Sequence, residues 1–547
     1  MAARSWITDT APSERFPVYT RLNAQEVLPD PLTPLGASLC WAPEMIPGWG
    51  LAYVEDGAFR PDEVGHESAV AALFFGYLYA NLSALRVLGM RRGLAWEQVD
   101  AMFFGVTDAP THDESPDDLD AGLARGIPER IAWAMSLQEY PEVDEDWAMA
   151  LRVRAERPDL AALSNRMLVA RARSVMPYTR VAFRSLMNAA TNGGVVQGTL
   201  AALLADGGAH LLVPLLSSPT ELESAAPPRA MWELSRLADT DPTFADGFAK
   251  FIARYGYRGP GELDPGTVSW ETDPGLARDM IARLRSVADA PTPTDRVAEW
   301  EAAVAEARGV VADADLGAFE AALQASRRFA TWRELGRAAV GILINEARVP
   351  LFELGRRLAK SGVLEDPSDI SMALDSELDG LALESRDMAA LLRERRRSWA
   401  GLADIAVPTY LDSRLPMPDL DSLPRRQVAP AMAPDPDTAL AGVPASAGTV
   451  EGAVYVAHSP EAAVGMPGDA ILVAPRTDAS WTPLFLAASA VVVETGSAFS
   501  HAMIVSRELG IPCVAGVIDA TRLLRTGDWV RVDGASGTVT LVARPSD

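Results

Sequence analysis

The sequence predicts a multidomain protein, with a large, mostly α-helical domain at residues 15–405 followed by a small domain of strands and helices at residues 448–547. The first observation is that apolar residues in the earlier region recur at spacings of three and four, the period of one helix face. The second is a Pro-rich segment at residues 406–447. The third is a set of short apolar runs after that segment, which are typical of buried strands. A chain of 547 residues has room for several such domains.

The helical period is clearest between residues 297 and 323. Apolar residues recur at helical spacing from Val297 to Ala307 and again from Leu316 to Leu323, which predicts two helices packed as an antiparallel pair. Thr294 and Asp295 precede the first helix as capping candidates. Further helices are predicted over residues 161–187, 230–254, 331–360 and 376–399.

Residues 68–90 are apolar enough to raise the question of a transmembrane helix. Asn81, Ser83 and Arg86 interrupt the stretch, and no aromatic belt or flanking basic cluster accompanies it. The segment is therefore predicted to be a buried helix of the large helical domain.

Residues 406–447 are rich in Pro, Asp, Ser and Ala and show no sustained helical period, so they are predicted to be an extended interdomain linker. Short elements follow the linker in quick succession. A hairpin is predicted at residues 528–542, because Asp533-Gly534 stands between two strand-like runs. The other predicted elements are strands at 448–456, 469–473 and 490–493 and a helix at 481–488.

His501 is the most informative single residue of this C-terminal region. Ala490 to Val493 reads as a buried strand, and the small residues from Thr495 to Ser500 read as a loop. Ser500 is a typical N-cap residue, so a helix is predicted to start there, just before His501. Free backbone N–H groups and the positive end of the helix dipole would then converge near the imidazole, as a phosphorylated histidine requires.

Four ordered blocks around His501 resemble the mobile phosphohistidine domain of the phosphoenolpyruvate-utilising enzymes. They are Thr477-Asp-Ala-Ser-Trp481-Thr-Pro, Val491-Val-Val-Glu-Thr-Gly496, Phe499-Ser-His501-Ala and Ser506-Arg-Glu-Leu-Gly-Ile-Pro-Cys-Val-Ala-Gly516. The resemblance implies a compact β/β/α swivelling domain in which His501 accepts and then donates a phosphoryl group.

The loop before His501 supplies candidates for holding the phosphate. Hydroxyl and backbone N–H groups at Thr495, Gly496, Ser497 and Ser500 could donate to phosphate oxygens. The alternative is ordinary turn chemistry. Arg507 and Glu508 follow on the same predicted helix and are expected to face solvent.

Three segments of the helical region resemble the substrate-binding middle domain of the rifampin phosphotransferases and their relatives. They are residues 21–35, 76–83 and 255–264, so the likeness extends over nearly the whole chain. It departs at Tyr257, where many relatives have histidine.

The third segment places Arg258 beside Glu262 and Asp264 in a Gly- and Pro-rich loop. Arginine suits clamping a phosphoryl group or a substrate carboxylate, and a carboxylate could take the proton from a substrate hydroxyl. The alternative is an internal Arg–Glu ion pair that only holds the loop.

Composition restricts the partners and the cellular location. The chain has 49 basic and 74 acidic side chains, a net charge of −25, so we expect neither a nucleic acid nor a membrane as partner. The two cysteines, Cys40 and Cys513, suggest a reducing cytoplasm, and the first thirty residues show no secretory signal. The other histidines lack ligands at zinc spacing, so no metal site is predicted.

The layout is closest to that of a rifampin phosphotransferase without its ATP-grasp domain, because only about twenty residues precede the 21–35 block. The predicted function is a phosphotransferase component of kinase or dikinase type. A separate ATP-grasp partner would phosphorylate His501 with ATP and Mg²⁺, this chain alone would bind no cofactor, and the acceptor would be a small-molecule hydroxyl. The alternatives are a ligand-binding or regulatory protein switched by His501 phosphorylation, and a stand-alone enzyme that uses the terminal domain as a lid.

Overall fold

The computed structural model of the protein describes most of the chain. The described residues are 6–7, 9–22, 24–65, 68–104, 109–120, 123, 126–205, 207–216, 223, 226–285, 297–426, 438–459, 462–463, 465–477, 481–496 and 501–545. The capping candidates Thr294 and Asp295 lie outside these ranges.

The described elements are predominantly helical before residue 405. The α-helices are α1 (Ala24–Val27), α2 (Ile46–Glu55), α3 (Pro61–Val64), α4 (Leu82–Met90), α5 (Trp96–Phe104), α6 (Ile127–Ser136), α7 (Pro141–Ala155), α8 (Asn165–Leu203), α9 (Leu212–Leu216), α10 (Ala226–Ser235), α11 (Pro242–Tyr255), α12 (Pro274–Arg285), α13 (Val297–Val310), α14 (Leu316–Lys360), α15 (Leu378–Ala382), α16 (Asp387–Leu402), α17 (Thr482–Phe485), α18 (His501–Leu509) and α19 (Ala520–Leu523). A π-helical segment, Gly36–Met45, leads into α2. The 3₁₀ turns are Pro116–Leu119, Leu160–Ala162, Ala209–Leu211, Asp313–Asp315, Pro367–Met372, Asp375–Glu377 and Leu420–Ser422.

The strands form two sheets. They are β1 (Val18–Thr20), β2 (Ala71–Phe74), β3 (Tyr77–Asn81), β4 (Tyr410–Asp412), β5 (Ala439–Ala441), β6 (Val443–Ser446), β7 (Thr449–Val456), β8 (Ile471–Ala474), β9 (Ala490–Val493), β10 (Cys513–Ala515), β11 (Trp529–Asp533) and β12 (Thr538–Ala543). The first sheet has the order β2-β3-β1-β4 and the second the order β5-β12-β11-β7-β8-β9-β10-β6.

Two long helices, α8 and α14, pack along each other and form the centre of the helical region. Gly336 of α14 faces Leu186 of α8, where an added Cβ would lie 3.3 Å from the Leu186 Cα, so glycine permits the close approach. The sequence predicts separate helices at 316–323 and 331–360, but the two are one helix. The residues between them, from Gln324 to Ala330, include no Gly or Pro that would end it.

The prediction of a single buried helix over residues 68–90 is wrong in its first half. That part is a hairpin of β2 and β3, and only α4 is helical. Phe75 and Gly76 both have positive φ, at 57° and 79°, which is the conformation of a tight two-residue hairpin turn. Asn81 ends β3 and caps α4 by accepting a hydrogen bond from Ala84 N. Each helix within the described residues is too short or too polar to cross a bilayer.

Part of the predicted linker at 406–447 is strand. β4 pairs with β1 in the sheet of the helical region, while β5 and β6 are edge strands of the C-terminal sheet. Residues 427–437 lie outside the described part of the chain. The domain boundaries 15–405, 406–447 and 448–547 stay a prediction.

The C-terminal domain is built on a parallel core. β7, β8, β9 and β10 run parallel to one another, and β11 and β12 add the predicted hairpin in antiparallel register. The predicted fold class, a large helical part followed by a small domain of β/β/α type, is confirmed.

The C-terminal domain shares an apolar cluster with the helical region. α17 packs against α10 and α12. The cluster includes Phe248 and Met280 from the helical side and Trp481 and Phe485 from the C-terminal side. In this arrangement the C-terminal domain is docked on helices α10 to α12.

Candidate active site

His501 is the first residue of α18, and the buried strand β9 ends eight residues before it. All four residues of β9 are buried, and its parallel neighbours are β8 and β10. The carboxyl ends of parallel strands meet at one sheet edge, and a helix that starts there points its free N–H groups along that edge. His501 therefore lies at a backbone position suited to an anionic group. The predicted cradle residues Ser497 and Ser500 lie outside the described residues.

Thr495 and Gly496 are the described members of the predicted cradle. Thr495 donates from both N and Oγ1 to the carbonyl of Pro475, at 3.2 and 3.1 Å, and so joins the loops that follow β8 and β9. Its hydroxyl proton would have to leave Pro475 before it could reach a phosphate. Among the described residues, no contact indicates whether Gly496 N–H would face a phosphate. The phosphate-binding role of Thr495, Gly496, Ser497 and Ser500 therefore stays a prediction.

The sequence analysis missed Thr477 as a candidate for the same edge. Thr477 follows β8 by three residues and is buried, and its Oγ1 has no hydrogen-bond partner among the described residues. A buried hydroxyl that no described residue engages, one strand away from Thr495, can donate to a phosphate oxygen. The sequence feature that could have indicated Thr477 is its position just after the carboxyl end of a predicted buried strand.

Arg258 lies in the loop 256–273 between α11 and α12 and is only 2% exposed. Its Nη1 lies 3.3 and 3.4 Å from the two carboxylate oxygens of Glu262. Burial alone would lower the pKa of Arg258, but the Glu262 charge and the Tyr257 phenol outweigh it, and the pKa is raised. Its Nε and Nη2 have no hydrogen-bond partner in the described ranges. The internal Arg258–Glu262 ion pair, which the sequence offered as an alternative to a substrate clamp, is therefore present. Two donors of Arg258, Nε and Nη2, are not used by it.

Asp264 has a different role in the same loop. It accepts hydrogen bonds from Thr33 N at 2.8 Å, from Thr33 Oγ1 at 2.7 Å and from Gly266 N at 2.7 Å. Burial raises the pKa of Asp264. Because both oxygens already face donors, Asp264 fastens the loop to residue 33. Of the two predicted carboxylates, the geometry leaves Glu262 as the better candidate beside Arg258.

A methyl group at Gly36 should break the link between Asp264 and residue 33. An added Cβ would overlap the Asp264 carboxylate, so we expect Gly36→Ala to destabilise the protein by about 2–4 kcal/mol. Gly317→Ala is the matched control, because nothing lies within 4 Å of its Cβ. Urea unfolding of the two variants measures the difference, and equal midpoints would contradict the geometry.

Arg348 holds the other side of the loop and was missed by the sequence analysis. Its Nη2 donates to the carbonyls of Glu262 and Asp264, at 3.0 and 2.9 Å. The side chain is fully buried in α14, and burial lowers the pKa of Arg348 to about 10. The sequence feature that could have indicated this role is an arginine within an otherwise apolar stretch of a predicted helix.

Glu271 connects the end of this loop to α7 and α14. Its carboxylate accepts from Arg157 and, at 2.7 Å, from Asn345 Nδ2, which stands next to Arg348 in the network. Burial alone would raise the pKa of Glu271, but Arg157 and Arg154 more than offset it and the pKa is lowered.

Glu271→Gln should therefore cost stability in a pH-dependent way. A lowered carboxyl pKa contributes stability that is present above the ordinary value of 4.5 and is lost as pH falls through the folded-state value. We expect a loss of about 1–3 kcal/mol at pH 7 that shrinks below pH 4.5. Urea titrations at pH 7, 5 and 3.5 measure it. Glu365→Gln, in an exposed pair with Arg393, is the control and should change stability little at any pH. A loss of the same size at pH 7 and pH 3.5 would contradict the assigned pKa.

Arg507 of α18 does not face solvent, contrary to the expectation from the sequence. It is buried, and its Nε donates to Ala445 O at 2.6 Å. Burial, with a smaller contribution from the positive charge of Arg333 on α14, lowers the pKa of Arg507 to about 10. Arg337 is one turn from Arg333 and lies 3.7 Å from Glu262. Arg507, six residues after His501, is thus within electrostatic reach of Arg333, on the same helix as the Arg337 that contacts Glu262.

A second contact joins the same two regions. Arg476, two residues after β8, forms an ion pair with Asp30 at 2.7 Å. Thr33, which bonds Asp264, is only three residues further along the chain, at most about 11 Å away. The edge of the C-terminal sheet and the Arg258 loop therefore attach to one short segment of chain.

Comparisons with known proteins agree with the resemblance found in the sequence. Residues 466–537 match the family model described as PEP-utilising enzyme, mobile domain, and residues 235–334 match the rifampicin phosphotransferase fourth domain. The resemblance to phosphoenolpyruvate-utilising enzymes is thus confirmed, and the two matches include His501 and the Arg258 loop respectively.

Three relatives illustrate the likeness. An uncharacterized protein of Mycobacterium tuberculosis is 33% identical over 314 residues, 57% of this chain and 33% of that protein. Rifampicin phosphotransferase of Streptomyces sviceus is 29% identical over 332 residues, 54% of this chain and 34% of that protein. Phosphoenolpyruvate synthase of Aeropyrum pernix is 34% identical over 214 residues, 37% of this chain and 26% of that protein. The chain spans about a third of the length of the curated relatives it matches.

Proposed function

We propose that this chain is a phosphotransferase component in which His501 carries a phosphoryl group to a hydroxyl of a small organic molecule held by the helical region. The observation that carries the proposal is the position of His501, at the start of α18 after the buried parallel strand β9, in a domain that packs on the helices flanking the Arg258 loop. The match to the mobile domain of PEP-utilising enzymes supports it independently.

The reaction has two steps. In the first, a separate ATP-grasp protein that binds ATP and Mg²⁺ transfers a phosphoryl group to an imidazole nitrogen, so a P–O bond of ATP breaks and an N–P bond forms. In the second, the substrate hydroxyl oxygen attacks phosphorus, the N–P bond breaks, and its electron pair returns to the imidazole. The hydroxyl proton leaves to a base, for which Glu262 is the candidate.

Arg258 suits the second step because it is a fixed cation with donors to spare. Its Nε and Nη2 are buried and have no partner among the described residues, while Glu262 holds Nη1. A cation in a water-poor site stabilises charge that develops on phosphoryl oxygens more strongly than one in water does. The apolar helical surroundings favour an aromatic or polyketide-like alcohol as acceptor over a sugar.

The proposal is tested by labelling the full chain. The purified protein is incubated with a candidate ATP-grasp protein, Mg²⁺ and ATP labelled at its β- or γ-phosphoryl group. We expect acid-labile, base-stable label on His501, located by peptide mapping, and its transfer to an added alcohol. Absence of histidine label with every ATP-grasp protein encoded beside this chain would overturn the proposal. Label that forms and never leaves would favour the regulatory alternative.

A further inference from the structure

Three arginines converge where the C-terminal domain meets the helical region. Arg21 follows β1, Arg426 follows the antiparallel bridge between Ile405 and Arg425, and Arg476 follows β8. Arg21 lies over the ring of Tyr77, with its Cζ 4.0 Å from the ring centroid. Arg21 Nη2 donates to Leu28 O and Pro29 O, and Arg476 pairs with the next residue, Asp30. Arg426 Nε donates to Ile405 O, three residues after Leu402, whose carbonyl accepts from the Tyr77 hydroxyl. We call these three residues the arginine cluster.

The arginine cluster has more positive than negative charge. Asp30 forms an ion pair with Arg476, but among the described residues neither Arg21 nor Arg426 pairs with a carboxylate. The chain as a whole has a net charge of −25, so three neighbouring guanidinium groups of which only Arg476 pairs with a described carboxylate run against its overall composition. Such a local excess of cations attracts an anion.

Arg21 is held in place rather than solvated. It is 3% exposed, its Nη2 donates to the carbonyls of Leu28 and Pro29 at 3.3 and 3.2 Å, and its Nε has no hydrogen-bond partner in the described chain. Burial, and then the charges of the two neighbouring arginines, lower the pKa of Arg21 to about 10. Keeping a guanidinium charge buried without a carboxylate costs free energy, which a bound anion would offset.

The arginine cluster borders the sheet edge that carries His501. Arg476 is adjacent to Pro475, whose carbonyl accepts both hydrogen bonds of Thr495, and Thr495 is six residues before His501, the first residue of α18. Thr477, with its unpartnered buried hydroxyl, is the next residue after Arg476. The loop after β8 therefore presents two potential phosphate donors, Arg476 and Thr477, at the sheet edge from which the chain continues to α18.

We propose that the arginine cluster binds a phosphate-type dianion, and that its ligand in the docked state is the phosphoryl group carried on His501. This inference rests on the proposed function and adds to it a reason for docking. While His501 carries the phosphoryl group, the arginine cluster binds that group and holds the C-terminal domain in place. After transfer, the neutral imidazole has no negative charge for the cluster to bind. Arginine is suited to the task because its planar fork of donors matches phosphate oxygens.

Inorganic phosphate tests the cluster without any partner protein. Calorimetric titration of the full chain at constant ionic strength should show phosphate binding that weakens about tenfold in Arg426→Gln and in Arg476→Gln, and further in the double variant. Arg425→Gln is the matched control, because Arg425 is the exposed neighbour of Arg426 and pairs with Asp404. Unchanged binding in the double variant, or equal weakening in the control, would overturn the proposal.

A second measurement identifies the ligand. Potassium phosphoramidate can phosphorylate histidine directly, with its own P–N bond breaking and ammonia leaving. Once His501 is phosphorylated, added inorganic phosphate should bind at least tenfold more weakly, because the carried group occupies the site. Undiminished binding would contradict His501 as the source of the ligand. His501→Ala should bind phosphate normally, so failure of the carrier role and failure of the arginine cluster give different results.

Discussion

Replacing His501 by alanine should reduce phosphoryl labelling of the chain, and transfer to any acceptor, to background. The imidazole is the only group at the start of α18 that the proposed reaction uses to form an N–P bond, and alanine offers no nucleophile. We expect a loss of at least about 10⁴-fold in turnover, with thermal unfolding changed by less than about 1 kcal/mol. The amount of acid-labile label measures phosphorylation of the chain, and a coupled assay of acceptor phosphorylation measures transfer. Thermal melting measures the change in unfolding free energy.

The matched control for this prediction is His458→Ala. His458 is an exposed histidine of the same C-terminal domain and lies just after β7. It should leave labelling and transfer at wild-type levels. Label that survives in His501→Ala, or that disappears equally in His458→Ala, would contradict the carrier assignment.

Arg258→Gln should separate the two half-reactions. The Arg258 loop has no role in the proposed phosphorylation of His501 by a partner protein, so labelling of His501 should persist. Discharge to the acceptor should slow by about 10²–10³-fold, because a buried guanidinium that faces phosphoryl charge is lost. The variant should also lose about 3–5 kcal/mol of unfolding free energy, since Glu262 keeps only the longer contact to Arg337. Single-turnover chase of labelled protein measures discharge, and urea unfolding measures stability.

Two variants distinguish a clamp from a structural tie. Glu262→Met breaks the same ion pair but leaves the Arg258 donors, so its loss of stability measures how much the pair holds the loop, while its discharge also slows because the candidate base is removed. Arg356→Gln removes an exposed ion pair with Glu353 on α14 and should change neither stability nor discharge rate. Discharge at the wild-type rate from folded Arg258→Gln protein would show that the ion pair only holds the loop.

The elements around His501 could be predicted from sequence because the information is local. A buried parallel strand reads as a continuous apolar run, and β9 occupies the predicted residues 490–493. The helix of His501 and the C-terminal hairpin were likewise expected from small residues, a capping serine and an Asp-Gly turn. Each signal lies within a few residues of the element that it predicts.

The errors have long-range causes. Residues 71–81 are apolar on both faces, so periodicity cannot distinguish a hairpin from a helix, and pairing with β1 some sixty residues earlier decides the outcome. The contact of Asp264 with Thr33 spans 231 residues, and Arg348 reaches loop carbonyls 84 and 86 residues away. No local pattern encodes such contacts, which is why the carboxylate roles could be nominated but not assigned from sequence.

The apolar cluster that joins α17 to helices α10 and α12 has a consequence for how the carrier travels. Undocking would expose Trp481 and Phe485 on one side and Phe248 and Met280 on the other to water. Release is then opposed by hydration of aromatic surface, and its heat-capacity change should be positive. At rest, most molecules would have the C-terminal domain docked on the helical region, where the acceptor binds. An ATP-grasp protein with a complementary apolar surface would therefore compete for the C-terminal domain better than one with only complementary charge.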